Sequence, residues 1–349
     1  MLLSRCFPDR HLRILAPVPR CRWSLTPVVL LLLGCGGPFP QSTLHPRSDF
    51  ARAADTVFTD IFWWAVLVFV VVETVLLFVL VRFRHREGRA APRPTHGHTL
   101  LEIAWTLAPA VILVFVAVPT VRTIFATAGE APPDALKVQV TGHQWWWEYK
   151  YPDLGITTAN EMHLPVGKPV QIAITSADVI HSFWAPRLGG KRDAIPGHVN
   201  YIALQADAVG DYSGQCAEFC GASHANMGLR VLVDSDAGFA AWVKDQRSPP
   251  VALAKGTPAE QGKAIYSRSA CLGCHTIQGV SPGVIGPNLT HVGSRSTIAA
   301  GLFPNDSAHL ASWIADAPAM KPGAIMTRMK PPLTDAEIAA LVAYLASLK

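Results

Sequence analysis

Two long apolar segments constrain this chain more than any other feature. Residues 61–81 carry Glu73 as their single charged side chain, and residues 100–121 carry only Glu102, near their start. Each segment is long enough for a helix that crosses the hydrocarbon core of a bilayer. We therefore predict a transmembrane helix hairpin over residues 56–127, in preference to two core helices of a soluble protein. A hydrophobic content of 50% with only 16% charged residues agrees with a membrane protein.

The loop between the apolar segments is rich in arginine: Arg82, Arg84, Arg86, Arg89 and Arg93. Loops that carry such an excess of positive charge stay on the cytoplasmic side of a membrane. The large C-terminal region is therefore predicted to lie on the extracytoplasmic side. The net charge of +5 arises mostly from this loop and from the N-terminus. Neither cluster belongs to a folded surface studded with aromatic residues, so the sequence argues against nucleic-acid binding.

The N-terminus is typical of an export signal. Residues 1–34 contain a basic stretch and then an apolar run that is too short to span a bilayer comfortably. The Leu-Leu-Gly-Cys sequence that ends at Cys35 resembles a bacterial lipobox, which predicts cleavage before Cys35 and a lipid on its thiol. The alternative is an uncleaved N-terminus with an incidental cysteine. Residues 35–55 would then form a short periplasmic segment, and the chain would be a multi-pass protein of the bacterial inner membrane.

A first cysteine motif predicts a copper site. Cys216 and Cys220 lie four residues apart, and His224 and Met227 follow them. Thiolate, imidazole and thioether groups are soft ligands that select copper or another thiophilic metal, and a second thiolate can bridge a pair of ions. A second imidazole has to come from elsewhere, and His181 is the best candidate. Structural zinc is the competing interpretation, which is disfavoured because residues 132–245 hold no further cysteine pair.

A second cysteine motif predicts covalently bound haem. It runs Cys-Leu-Gly-Cys-His from Cys271 to His275. In such motifs the two thiols, here Cys271 and Cys274, attach the haem, and the histidine is the proximal iron ligand. A chain that holds this motif and the copper motif is expected to transfer electrons.

The pattern of the chain changes twice after the second apolar segment. Turn residues separate short apolar runs, which predict strands of an all-β sandwich or barrel over residues 132–245: 137–142, 169–174, 200–204 and 229–233. Residues 246–256 contain Ser-Pro-Pro and are predicted to be a linker. Beyond them, capping residues and helical periodicity predict an all-α domain over residues 257–349.

These features resemble subunit II of the haem–copper cytochrome c oxidases over roughly residues 55–235. The copper motif, His181, the sequence Gly142-His143-Gln144-Trp145-Trp146-Trp147 and the helix hairpin carry the resemblance. It implies a cupredoxin-like sandwich and a binuclear copper centre, CuA. The ligands that it implies are Cys216, Cys220, His181, His224, Met227 and the backbone carbonyl of Glu218. It also implies that the Glu218 side chain binds Mg at the interface with subunit I.

Residues 257–349 resemble class I cytochromes c. Gly-Pro-Asn-Leu follows the haem motif at the expected distance, and by resemblance the Pro287 carbonyl orients the imidazole of His275. The sixth iron ligand is expected to be methionine. Met326 ends a matching Lys-Pro-Gly-x-x-Met pattern, but threonine follows it where the family has proline. Met329 therefore remains the alternative, and Met320 is a more distant one.

Two further residues have alternative interpretations. Trp145 matches the ring through which electrons reach CuA in the oxidase family, although its run of tryptophans is also typical of a sandwich core, and a fused donor would alter the route. Glu102 matches a carboxylate at the mouth of a proton path into subunit I, but it is equally a candidate for an interfacial side chain that reaches toward water.

The sequence thus predicts a multidomain membrane protein with a transmembrane hairpin, an all-β cupredoxin-like domain and an all-α cytochrome c domain. By resemblance it is subunit II of a proton-pumping caa-type oxidase that works with subunits I and III. An external cytochrome c or a quinol–cytochrome c reductase would reduce the haem, electrons would continue to CuA, and oxygen would be reduced in subunit I. The alternatives are an anchored electron-transfer protein that serves another reductase, and a non-catalytic assembly subunit. A quinol-oxidase subunit is disfavoured, because that relative lacks the copper cysteines.

Overall fold

A computed structural model of the protein describes residues 39–85, 88, 94, 96–326 and 332–349. Several sequence predictions fall outside the described residues: the export signal, Cys35, Arg86, Arg89, Arg93 and Met329.

Two long helices form the predicted hairpin. Helix α1 is Asp49–Arg82 and helix α2 is Thr99–Thr127. Both are long and apolar enough to cross a membrane, and Trp64 stacks on Phe115 between them with ring centroids 5.5 Å apart. The helix hairpin of the predicted fold is thus confirmed.

Helix α1 begins well before the apolar segment that predicted it. At a rise of about 1.5 Å per residue it is roughly 50 Å long, which exceeds the hydrocarbon core of about 30 Å. Ser48 caps its first turn by accepting a hydrogen bond from Ala51 N. The extra turns pack on the following domain, because Ser48 Oγ donates to Leu188 O over 2.5 Å and Asp49 accepts from Gln205 N over 2.7 Å.

The middle domain is a sandwich of ten strands in two five-stranded sheets. The first sheet has the order β3-β2-β1-β5-β8 and the second has the order β4-β10-β9-β6-β7. The strands are β1 Leu136–His143, β2 Trp146–Tyr151, β3 Ile156–Ala159, β4 Glu161–Pro165, β5 Pro169–Ser176, β6 His181–Trp184, β7 Arg192–Ala194, β8 Asn200–Gln205, β9 Gly210–Cys216 and β10 Gly228–Asp234. The four predicted strands correspond to β1, β5, β8 and β10.

Alternating burial along the strands builds the sandwich core. Every second residue of β5 is buried, as expected for a strand with one face toward the core. Strand β2 contributes Trp147, Tyr149 and Tyr151, each at most 1% exposed. Helix α3, Asp236–Arg247, follows β10, and its Trp242 packs against Tyr151 at 5.1 Å between ring centroids.

The C-terminal domain is mainly helical, as predicted. Its helices are α4 Pro258–Arg268, α5 Cys271–Cys274, α6 Ser307–Met320 and α7 Asp335–Ser347. Its short strand pairs are β11 Thr276–Ile277 with β12 Ser281–Pro282, and β13 Thr297–Ile298 with β14 Phe303–Pro304. Helices α4 and α7 form the core of the domain, where the Tyr266 and Tyr344 rings meet edge to face at 5.8 Å. Thr334 and Glu337 form a capping box at the start of α7.

Candidate copper and haem sites

Strand pairing brings the copper-motif residues to one rim of the sandwich. Cys216 ends β9 and pairs with Phe183 of β6, which places His181, the first residue of β6, beside it. Cys220 lies in the loop after β9, and a short helical turn over His224–Asn226 leads to Met227, directly before β10. The five side chains therefore stand on two paired strands and on the loop that joins β9 to β10.

The donor atoms converge on one small volume. The Sγ atoms of Cys216 and Cys220 lie 3.8 Å apart. Each sulfur faces one imidazole: Cys216 lies 3.9 Å from His181 Nδ1, and Cys220 lies 3.7 Å from His224 Nδ1. Met227 Sδ is 3.9 Å from Cys220 Sγ. Two thiols flanked by two imidazoles and a thioether form the donor set expected for a pair of bridged copper ions.

The backbone completes the set predicted from the resemblance. The carbonyl oxygen of Glu218 lies 3.2 Å from Cys216 Sγ. Cys216, Cys220 and Met227 are at most 4% exposed, and His181 is fully buried. Most of the cluster is therefore shielded from water, whereas His224 is partly exposed. Its small size and soft donors fit copper.

Asp178 orients the buried imidazole and was not singled out from the sequence. Its Oδ1 lies 2.8 Å from His181 Nε2, which leaves Nδ1 facing the cysteines. Asp178 also accepts hydrogen bonds from the backbone amides of Gln144 and Val179. Burial opposes its charge, but the hydrogen bond from His181 and those two amides outweigh burial and lower the pKa of Asp178. The sequence feature that could have indicated this role is its position three residues before His181.

The two thiols differ in acidity. Burial raises the pKa of Cys216, but hydrogen bonds from His181 and from the backbone at Glu218 outweigh it and lower that pKa to about 7. Burial and the neighbouring Cys216 raise the pKa of Cys220 to about 12. The first thiol of this pair therefore loses its proton more easily than the second, and a bound cation would have to displace the proton of the less acidic thiol.

Trp145 lies against the copper motif. It stands in the turn between β1 and β2, half buried, and its indole Nε1 donates to the carbonyl oxygen of Cys220 over 2.9 Å. Gln144 Nε2 donates to the same oxygen over 2.7 Å. Neither contact was predicted, because Cys220 lies about 75 residues from Gln144 and Trp145 in the sequence. The turn therefore holds the loop that carries Cys220.

The haem-motif residues line one side of a cavity of about 290 Å³. Cys271 and Cys274 sit at the two ends of helix α5, and His275 follows it directly. His275 Nδ1 lies 2.8 Å from the carbonyl oxygen of Pro287, as the resemblance implied. Burial lowers the pKa of His275, so the ring is neutral near pH 7 and can act as a metal ligand.

The other walls of the cavity suit a haem. Apolar side chains from α6 and α7 contribute much of the lining, including Leu310, Trp313, Leu341 and Leu345. Arg295 also lines the cavity, and its Nε is buried without a hydrogen-bond partner among the described residues. Burial lowers the pKa of Arg295 to about 10, so the guanidinium remains charged and suits a carboxylate such as a haem propionate.

Met326 lines the same cavity as His275. The alternative, Met329, lies outside the described residues, so the choice between these two methionines stays a prediction. Glu102 lies in the exposed first turn of α2 and is far in sequence from both clusters. Its proposed role in a proton path likewise stays a prediction.

Family profiles match three parts of the chain. The profile described as cytochrome c oxidase subunit II, transmembrane domain, matches residues 46–123. The profile of the periplasmic domain of the same subunit matches residues 155–234, and the cytochrome c profile matches residues 259–349. These domains imply copper and haem as cofactors. They also indicate a membrane protein whose large domains lie outside the cytoplasm.

Relatives match nearly the whole chain. Cytochrome c oxidase subunit 2 of Alkalihalophilus pseudofirmus is 36% identical over 329 residues, which cover 92% of this chain and 95% of the relative. The same subunit of Bacillus sp. strain PS3 is 36% identical over 352 residues, covering 94% and 98%.

A solved structure was also matched. The periplasmic domain of subunit II of cytochrome oxidase from Bradyrhizobium japonicum is 38% identical and covers 33% of this chain and 96% of its own, with a TM-score of 0.32. The profiles and the full-length relatives confirm the predicted family. The chain belongs to the cytochrome c oxidase subunit II family, as a member with a C-terminal cytochrome c domain.

Proposed function

We propose that this chain is the subunit through which electrons reach the oxidase. Electrons from an external cytochrome c or a quinol–cytochrome c reductase would arrive at the haem held by Cys271, Cys274 and His275. They would continue to the copper pair held by Cys216 and Cys220, and then to subunit I, where oxygen is reduced to water and protons are pumped. Subunits I and III are the proposed membrane partners.

One observation carries this proposal: Trp145 borders both sites. It lines the haem cavity together with His275, and its indole N–H donates to the carbonyl of Cys220. Covalent bonds and one hydrogen bond therefore connect the wall of the haem cavity to a residue of the copper cluster. This position supports Trp145 as the ring through which electrons pass toward CuA.

The remaining residues of the two sites would keep both cofactors fixed during transfer. When bound, the haem and the copper pair supply one-electron chemistry. Asp178 holds His181, and the carbonyl of Pro287 holds His275, so that neither imidazole needs to turn when charge changes. Burial of Cys216 and Cys220 excludes water from the copper cluster. Rigid ligands and a dry site keep the rearrangement that accompanies each electron small.

Further assignments are extensions of the same proposal. Met326 would be the sixth haem ligand, with Met329 as the alternative. His181, His224, Met227 and the Glu218 carbonyl would complete the copper ligands, and the Glu218 side chain would bind Mg at the subunit I interface. Glu102 would serve a proton path. The chain would lie in the inner membrane of a bacterium, anchored also by a lipid on Cys35.

Spectroscopy of the full-length chain in detergent, loaded with copper and haem, tests the proposal. We expect a low-spin c-type haem spectrum together with an EPR hyperfine pattern from one electron shared between two copper nuclei. A pattern from a single copper nucleus, or zinc in place of copper, would refute the binuclear centre. Co-purification with a haem-bearing partner of the subunit I type separates the oxidase role from that of an anchored electron-transfer protein.

A further inference from the structure

A buried carboxylate of the sandwich is bound by the cytochrome c domain. Glu161, the first residue of β4, is 3% exposed. It accepts hydrogen bonds from four groups: the backbone amides of Ser296 and Thr297 at 2.8 to 3.1 Å, and both their hydroxyls at 2.7 Å. Charge-assisted hydrogen bonds of this kind are about twice as strong as neutral ones. Glu161 thus ties β4 to the start of β13, 135 residues later in the chain.

A buried lysine of the cytochrome c domain makes a second connection, in this case by donating to the sandwich. Lys321, 3% exposed, starts the loop that carries Met326. Its Nζ donates to the carbonyl oxygens of Trp145 at 2.6 Å and Ala299 at 3.1 Å. Burial lowers the pKa of Lys321 to about 7, so the amine is partly neutral near pH 7. A neutral amine still has two N–H groups, one for each carbonyl.

The two domains also approach too closely for larger side chains. A Cβ on Gly323, whose φ is +81°, would lie 2.8 Å from the Trp145 ring and 3.2 Å from Ala222 Cβ. A Cβ on Gly228 would lie 2.7 Å from the carbonyl oxygen of Ala300. The loop of the copper motif and the loop of the proposed axial methionine therefore touch directly. Ser223 strengthens this contact, since its hydroxyl donates to the Pro322 carbonyl.

We propose that Glu161 and Lys321 are positioning residues that lock the cytochrome c domain onto the sandwich in one orientation competent for electron transfer. The fused donor is then a fixed partner of the copper cluster and not a domain that swings on its linker. Each event would move one electron from the haem to the copper pair, which would oxidise the first by one unit and reduce the second by one, with no atom transferred. The inference rests on the proposed function.

Locking also restricts which donors can act. Lys321 and Gly323, at the start of the Met326 loop, lie against Trp145, which lines a cavity shared by both domains. We therefore expect an external cytochrome to reduce the fused haem first, because the cytochrome c domain covers part of the surface at Trp145. A protein that swung on its linker would expose Trp145 for part of the time and would accept electrons there directly.

Three variants of the full-length, cofactor-loaded chain test the locking residues: Glu161→Gln, Lys321→Leu and the milder Ser296→Ala. The matched controls are Glu130→Gln and Lys263→Leu, both at exposed positions. Hydrogen exchange is measured at the amides of Ser296 and Thr297. Haem-to-copper transfer is measured by photoreducing the haem and recording the rate at which reduced copper appears. Optical and EPR spectra verify that each variant retains both centres.

We expect faster exchange at Ser296 and Thr297 in Glu161→Gln and Ser296→Ala, and unchanged exchange in the controls. Haem-to-copper transfer should slow by at least about tenfold in Glu161→Gln and Lys321→Leu, and it should become dependent on solvent viscosity, because loss of orientation is costly. Unchanged transfer rates in variants with intact spectra would overturn the inference, whether or not exchange rises. Absence of a haem or copper spectrum in the wild-type chain would instead refute the proposed function.

Discussion

The copper cluster and the haem cavity are built in different ways by one chain. The proposed copper donors stand on two paired strands and one loop of a packed sandwich, and neighbouring donor atoms lie within 4 Å of one another. The haem donors instead border a cavity of about 290 Å³ between helices and loops. The sandwich therefore has its core without the metal, whereas the cytochrome c domain needs the haem as part of its core. Loss of haem should therefore disrupt the folding of its domain, whereas loss of copper should leave the sandwich folded.

The largest expected effect is on the cytochrome c domain. The pair of changes Cys271→Ala and Cys274→Ala should abolish covalent haem and leave the cavity unfilled. We expect this domain to lose its cooperative thermal transition, because a cavity of that size removes many packing contacts. The sandwich should keep both its copper and its own transition. Calorimetry with metal analysis measures both, and a cytochrome domain that still melts cooperatively without haem would contradict the comparison.

A substitution in the copper motif should affect metal binding and leave the sandwich folded. Cys216→Ser should abolish the binuclear copper signal, because a proposed copper ligand is lost, and oxidase activity of the assembled complex should fall by at least about a hundredfold. The sandwich transition and the haem spectrum should be nearly unchanged. EPR, calorimetry and oxygen consumption report these three quantities. Normal activity in a complex that has lost the copper signal would show that electrons bypass this centre.

Copper binding should depend on pH with a predictable sign. Burial and the neighbouring thiol raise the pKa of Cys220 to about 12, so the metal has to displace its proton throughout the physiological range. Affinity should therefore rise with pH, by about tenfold per unit for each proton released. Chelator competition on the copper-free protein between pH 7 and 9 measures the slope. A flat profile would mean that Cys220 is already ionised.

A change outside the ligand set should have an intermediate effect. Asp178→Asn removes the charge that holds His181 and should weaken copper binding by about tenfold to a hundredfold. Haem attachment should not respond. Chelator competition with the wild-type chain as reference gives the ratio, and Asp153→Asn, at an exposed position of the same domain, is the matched control. Equal affinity in both variants would show that packing alone orients the imidazole.

The smallest expected effect lies beside the haem. Tyr266 OH lies 3.0 Å from Ser281 Oγ and donates to the His275 carbonyl over 3.2 Å. Tyr266→Phe should destabilise the cytochrome c domain by about 1 kcal/mol and leave the copper spectrum unchanged. Denaturant unfolding followed at the haem measures it. An equal shift of the sandwich transition would show that the two domains unfold as one unit.

Motifs that are close in sequence were predictable, whereas most contacts made by the fold were not; His181, which lies 35 residues before Cys216, is the exception. The copper loop and the haem motif are short, and their chemistry follows from residue type and spacing. The polar first turns of α1 were missed, because Ser48 and Asp49 extend the helix through contacts with β8 and the Leu188 loop. Glu161 could not be assigned, since its four donors lie about 135 residues away. Nothing in the local sequence distinguishes it from an exposed glutamate.

Photoreduction of the wild-type chain tests most directly whether both centres form one electron path. The full-length protein in detergent is flashed so that only the haem is reduced, and haem oxidation and copper reduction are followed together at several protein concentrations. We predict that both proceed at one first-order rate that is independent of concentration, because donor and acceptor belong to the same chain. A rate that scales with concentration, or copper that stays oxidised, would contradict transfer within the chain.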